Sequence, residues 1–199
     1  MGAPRAIDCE WTIEGMDEVL TEIVELGPRG LTEEEEETCQ KRLVHGVREM
    51  ITMDEDDDAL TPSTSTSGLV RRVCETCCVM MTRTREEGGN RKGKTADSVF
   101  LGWFEALVKV GSVSKRARRD AIETARRWTR MEDGFSDAVV RGWEEIDEDE
   151  EIVGTVLGLM VTVLGGPRGG GTEAKAAARD LAQRASEEAL VSVVDACDE

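Results

Sequence analysis

Along almost the whole chain, apolar residues recur at intervals of three and four, the spacing that lines up one face of an α-helix. Residues 12–26 set the pattern: Ile13, Met16, Val19, Leu20, Ile23 and Val24 form one stripe. Gly27-Pro28 predicts the end of that helix. Thr32 followed by Glu35 reads as a capping box, in which a hydroxyl and a carboxylate each accept from the other residue's backbone amide. The next helix carries Leu43, Val44, Val47, Met50 and Ile51. Further helices are expected at about Gly68 to Arg85, 96–111, 114–131, 135–146 and 173–196. No stretch alternates in the manner of a half-buried strand, although Leu190 to Val194 would make a short one. The chain predicts an all-α fold of seven or eight helices, with no internal repeat.

Two segments interrupt the pattern. Asp54-Glu55-Asp56-Asp57-Asp58 and Thr61-Pro62-Ser63-Thr64-Ser65-Thr66-Ser67 make 54–67 a solvated linker by composition. Ile152 to Gly166 is a run of fifteen residues without a charge. A spanning helix wants about 20 apolar residues, so the run reads as a buried helix, with a membrane anchor as the alternative. Gly165 to Gly171 is a flexible spacer before the last amphipathic helix.

Charge narrows the function classes. With 42 Asp+Glu against 25 Lys+Arg, the formal net charge is -17. Phosphate binding needs a surplus of cations, so a general nucleic-acid binder is disfavoured, and so is electrostatic docking on anionic lipid. Four Trp and three Phe are too many for a fully disordered acidic chain. Lys115, Arg116, Arg118, Arg119, Arg126, Arg127 and Arg130 concentrate basic charge on one helix, interrupted by Asp120 and Glu123. They read as a solvated face paired with the acidic runs. MGAPRAIDCEW has no apolar core of signal-peptide type, and the six cysteines are expected as reduced thiols.

The sharpest short motif is Gly88-Gly89-Asn90-Arg91-Lys92-Gly93-Lys94-Thr95, which fits a phosphate-binding loop. Bare amides would cradle phosphates, Lys94 would reach the terminal ones and Thr95 would ligate magnesium. That chemistry needs a buried strand delivering the loop, and Thr82 to Glu87 does not read as one. Leu190 to Asp195 is the only segment resembling the second, aspartate-tipped strand. Cys74, Cys77 and Cys78 share a helix face but lack the fourth ligand of a zinc site, and read as buried small side chains. His45 is the chain's single histidine, which leaves no Ser-His-Asp or Cys-His arrangement. Neither a cofactor nor a metal is expected.

Three further segments fall in a suggestive order. Val70-Arg71-Arg72-Val73-Cys74-Glu75 has two apolar residues three apart, then a small residue and an acid. Val99-Phe100-Leu101-Gly102-Trp103-Phe104-Glu105-Ala106-Leu107-Val108-Lys109-Val110-Gly111 is a long apolar helix with spaced glycines. Arg141-Gly142-Trp143 precedes a run of acids. In this order they resemble the third, first and second homology regions of the Bcl-2 family of apoptosis regulators, over about 40% of the chain. Cys74 stands where glycine is usual and Glu75 where aspartate is usual. Gly102, Leu107 and Gly111 match in register. The family's Asn-Trp-Gly-Arg becomes Phe100-Leu101-Gly102-Trp103.

That resemblance implies an all-α bundle of Bcl-2-like topology around a central apolar helix near 98–111. Residues 1–166 would form the bundle, and 167–199 a glycine spacer with a C-terminal amphipathic helix. A groove lined by Arg72, Val73, Phe100, Leu101, Gly102, Trp103, Phe104 and Leu107, with Arg141, Gly142 and Trp143 of the second region, would accept a partner's amphipathic helix. The family's arginine, which pairs with the ligand's aspartate, is replaced by Trp103. Binding would then rest on apolar pockets from Val73, Phe104 and Leu107, with Arg72 as the nearby cation. Gly102 would let the ligand backbone approach closely. The partners implied are pro-apoptotic proteins of the family, through their death-ligand helices, with a homodimer over the same groove as a further expectation. The implied role is non-catalytic restraint of apoptosis in the cytoplasm, with association at the mitochondrial outer membrane through 152–166. Divergence at the signature is typical of virally encoded members. The alternatives are a nucleotide-binding protein using Gly88 to Thr95 and an acidic helical scaffold.

Overall fold

The computed structural model describes residues 5–9, 11–12, 15–56, 64–86, 96–131, 139, 150–164, 172–185 and 187–197. After a short 3-10 turn at Ala6–Asp8 come α1 (Met16–Gly30), α2 (Glu33–Asp56), α3 (Thr64–Glu86), α4 (Ala96–Gly111) and α5 (Lys115–Met131). They are followed by α6 (Glu150–Leu164), α7 (Thr172–Arg184) and α8 (Glu187–Cys197). Among the described residues every element is helical and there is no strand. The chain divides into two compact units, 1–106 and 107–199. The continuous helix α4 belongs to the first as far as Ala106 and to the second from Leu107.

In the first unit α1 packs on α3 and on the 3-10 turn, and α2 also meets α3. The stripe read from the sequence is the buried face of α1: Met16, Val19, Leu20 and Ile23 are closed to solvent. Opposite them α3 presents Val73, Cys74, Cys77, Cys78, Met80 and Met81, all fully buried. The stop expected at Gly27-Pro28 is a kink instead. Gly27 takes φ 60°, the one positive φ among the described residues, and a last turn runs on to Gly30. A residue before proline is pushed out of the α region, and glycine can leave it in a direction other residues rarely take. The capping box forms as read: the Thr32 N–H donates to Glu35 Oε2 at 2.6 Å, and the Glu35 N–H donates to Thr32 Oγ1 at 3.3 Å.

The linker expected at 54–67 is shorter than its composition suggests. Helix α2 continues through Asp56 and α3 begins at Thr64, leaving 57–63 outside the described residues. Helix α3 then reaches Glu86, adding one turn before the helix expected from Gly68 to Arg85 and one residue after it.

In the second unit α6 packs on α5, α7 and α8, and α5 also meets α8. Every residue from Val153 to Met160 is buried, which is the fate of a helix that is apolar all round. Helix α6 takes in 152–164 of the charge-free run, and residues 165–166 lie outside the described residues. No helix among the described residues is long and apolar enough to cross a membrane. Glycine permits the close packing of α5 on α6, because a Cβ at Gly158 would collide with the Ile122 side chain.

The single helix expected over 173–196 is two helices, α7 and α8. Leu190 to Val194, the candidate strand, lies inside α8. There Val193 is buried while Val191 and Val194 are exposed, a helical rather than an alternating pattern. The helix expected at 135–146 lies outside the described residues except for Val139, as does the spacer 165–171.

Candidate functional site

The candidate site begins on α3. Val70, Val73, Cys74 and Cys77 recur at three- and four-residue steps, so all four face the interior. Arg72 points away from them. Its guanidinium pairs with Asp17 of α1 and donates to Thr21 Oγ1 at 3.3 Å. The cation expected to greet a ligand is therefore already engaged, in a solvent-exposed pair worth no more than about 1 kcal/mol.

Beside Arg72 lies an open depression of about 600 Å³, lined by Arg5, Asp17, Glu18, Thr21, Glu22 and Glu25 among others. Its lining is mostly the charged outer face of α1, from Asp17 to Glu25, which the reading of the apolar stripe passed over. The N-terminal segment closes its rim. Arg5 bridges Asp8, at 3.1 Å, and Glu35, while the Ile7 N–H donates to Glu22 Oε2 at 3.0 Å. The Thr32 backbone amide, followed by the Arg5 guanidinium, holds the Glu35 carboxyl below the usual carboxylate range. Trp11 adds a second anchor, its indole N–H donating to the Ile7 carbonyl at 3.3 Å under the Arg42 guanidinium, 5.4 Å from the ring centre.

Helix α4 carries most of the residues that resemble the first homology region. Trp103, Phe104 and Leu107 are fully buried, as is Val73 on α3. They are core side chains here, closed to solvent rather than lining a groove as expected. The reason is periodicity: Val99, Trp103, Ala106 and Val110 form one stripe, and Phe104, Leu107 and Val108 widen it to most of the circumference. What reaches solvent is a narrow seam of half-buried Phe100, Leu101 and Gly102, ending at exposed Glu105. The Phe100 and Phe104 rings stack at 15°, with centroids 6.4 Å apart. The side-chain amide of Gln40, from α2, rests on Gly102: a Cβ there would lie 2.8 Å from its Nε2 and 2.9 Å from its Oε1.

Next to this seam is a chemical anomaly. The Trp103 indole N–H is buried with no hydrogen-bond partner among the described residues. An orphaned donor costs about 1–3 kcal/mol. The tryptophan thus places a donor in the interior with no acceptor among the described residues.

The remaining candidates sort simply. Cys39, Cys74, Cys77 and Cys78 are buried thiols outside any disulfide, and burial pushes Cys39 and Cys77 up to about 12. A thiol held there is not a nucleophile at neutral pH. His45 is exposed, 3.3 Å from Glu49 one turn on. The phosphate-loop motif at 88–95 lies outside the described residues. Both places where that reading wants a strand, 76–82 and 190–194, are helical. Arg141, Gly142 and Trp143 also lie outside the described residues.

The basic stretch needs a correction. Lys115, Arg116, Arg119, Arg127 and Arg130 are exposed as expected, but Arg118 and Asp120 are buried, each 7% exposed. Arg118 Nε donates to Thr155 Oγ1 at 3.3 Å, and Thr155 lies 3.2 Å from the Ser112 hydroxyl. The signal was available. Arg118 stands three and four residues before Ala121 and Ile122 and seven before Ala125, on the buried stripe.

Set against known proteins, the chain has no match among family models, curated proteins or solved structures.

Proposed function

We propose that this chain is a non-catalytic, helix-binding regulator of the Bcl-2 kind, which sequesters the amphipathic death-ligand helix of pro-apoptotic partners and so restrains apoptosis. The observation that carries the reading is the character of α4. One turn of a largely buried apolar helix leaves Phe100, Leu101 and Gly102 half-exposed, next to the buried Trp103 and Phe104. A partner helix with apolar anchors at i, i+3 or i+4, and i+7 would seat on this seam, with its backbone nearest Gly102. Because Val73, Trp103, Phe104 and Leu107 are closed off in the free protein, binding requires the layer to open. The unpartnered Trp103 N–H favours that opening, since it gains an acceptor outside. The order of the three family-like segments and the all-helical fold support the same reading, which places the action in the cytoplasm, at the mitochondrial outer membrane.

The test is calorimetric titration against a panel of pro-death ligand-helix peptides, with ATP and magnesium as a parallel arm. The expected outcome is saturable binding to at least one peptide, at about micromolar or tighter affinity. It should be lost in Gly102→Glu, whose far-ultraviolet circular dichroism should stay unchanged. Silence across the peptides overturns the proposal, and heat from the nucleotide arm would transfer the function to Lys94 and Thr95.

A further inference from the structure

We infer that Gln40 is a specificity-determining gate over the Gly102 seam, an inference that rests on the reading of that seam as a helix-binding site. The side-chain atoms nearest to where a Cβ on Gly102 would stand are those of the Gln40 carboxamide, which comes from a different helix. Its atoms leave no room for another: even a single Cβ on Gly102 would sit 2.8 Å from Nε2, 2.9 Å from Oε1 and 3.2 Å from Cδ. A group approaching Gly102 along its Cα–Cβ direction meets this side chain first. Gln40 is half-buried, between the fully buried Cys39 and Leu43 that fix its helix on the core. The base of the side chain is therefore held while its end is free to rotate.

The chemistry makes the gate cheap to move. A carboxamide has two donors and a two-lone-pair acceptor, and among the described residues none of them is used in a side-chain hydrogen bond. It is retained by contact alone, on a chain of rotatable bonds that gains entropy on release. A partner that presents a small residue and a close backbone at this point recovers the contact after Gln40 swings aside. One that presents a bulky side chain there meets both the gate and the adjoining Phe100 and Leu101 of the seam. The gate thus selects for partner helices with a small residue at the crossing point.

Two measurements test the inference. The first needs no ligand: urea unfolding of wild type, Gln40→Ala, Gly102→Ala and the double variant. Contact between the two positions predicts that Gly102→Ala shifts the unfolding equilibrium constant in the wild-type background but hardly at all with Ala at 40, a coupling of about threefold to tenfold. Strict additivity would remove the contact and the gate with it. The second repeats the peptide titrations on Gln40→Ala, which should bind about three to ten times more tightly, with the gain largest for peptides bulky at the crossing position. Peptide binding that is unchanged or weaker in Gln40→Ala overturns the gate and leaves the helix-binding reading standing. If neither protein binds any peptide, the reading fails, and Gln40 is no gate.

Discussion

Helices α3 and α5 are both built on helical spacing, yet they fill the interior in opposite ways. The inner face of α3 is soft and continuous: Val70, Val73, Cys74, Cys77, Cys78, Met80 and Met81, with Thr76 and Thr84 beside them. Thr84 satisfies itself on the Met80 carbonyl at 2.7 Å. The inner face of α5 is thin and polar: Ala117, Ala121 and Ala125 around Ile122, together with Arg118, Asp120, Thr124 and Thr129. Thiols and thioethers adapt to gaps, so α3 can pack against irregular neighbours. Alanines cannot reach, so α5 must be approached closely, and the glycine at 158 on α6 makes that approach possible. The first arrangement tolerates a change of shape and the second does not.

The comparison is broken most directly by adding volume to the tight contact. Gly158→Val should destabilise the second unit by about 3 kcal/mol, because the new side chain displaces that of Ile122 within a packed interior. Removing volume from the soft core, as in Leu20→Ala, should cost about 2–5 kcal/mol according to how far Met80 and Met81 move in. Urea unfolding followed through Trp128 for the first variant and Trp103 for the second separates the two. Tolerance of Val at 158 would mean that α5 and α6 are not tightly apposed.

The buried charge gives the next largest effect. Arg118→Ala removes the donor to Thr155 Oγ1 and opens a gap, with an expected loss of about 2–3 kcal/mol in urea unfolding. Arg118→Met fills most of the same volume without a charge and should lie within about 1 kcal/mol of wild type, or above it, because a desolvated charge repays little. Equal losses in both variants would show that the guanidinium itself, rather than its bulk, holds α5 in place.

Alkaline pH probes the thiol-rich side. Cys39 and Cys77 are both raised to about 12 from a model-thiol value of 9.0, chiefly because burial disfavours the thiolate. Above pH 9 the unfolded chain gives up these protons while the folded chain keeps them. The stability they supply is therefore complete below pH 9 and is lost as the pH climbs towards 12, at up to about 1.4 kcal/mol per pH unit for each thiol. Cys77→Ala should flatten this limb in a pH series of urea midpoints. An unchanged slope would mean that Cys77 is not closed off from water.

Much of the fold was legible because helical spacing and capping are local. The α1 stripe, the Thr32–Glu35 box and the limits of α4 at Ala96 and Gly111 follow from neighbours a turn away. The apolar α6 run resolved into a buried helix for the same reason, its length being wrong for a bilayer. What was not legible depends on distant partners. The acidic composition of Asp54 to Asp56 gave no hint that α2 would continue through it. Arg118 looked like its six basic neighbours until its stripe with Ala121, Ile122 and Ala125 was set against α6. At the candidate site the residue types on α4 were legible but their exposure was not. Whether Trp103 lines a groove or fills a core is decided by what packs on α4, and Gln40, sixty-two residues away, carried no signal at all.

The smallest expected effect concerns that same tryptophan. Trp103→Phe trades two opposing terms: it removes a buried N–H with no acceptor, a gain of about 1–3 kcal/mol, and it gives up part of the indole's packing, a loss of similar size. The variant should therefore unfold within about 1 kcal/mol of wild type, an outcome unusual for a fully buried aromatic. Guanidinium unfolding followed by circular dichroism measures it without relying on the indole signal. A loss above about 3 kcal/mol would mean that the N–H is satisfied in solution, and the argument that an orphaned donor favours opening of the α4 layer would fall with it. Near-neutral stability combined with weaker peptide binding is the signature of a donor that matters only once the layer has opened, and it would set Trp103 apart from Phe104, whose loss to alanine should cost stability and binding together.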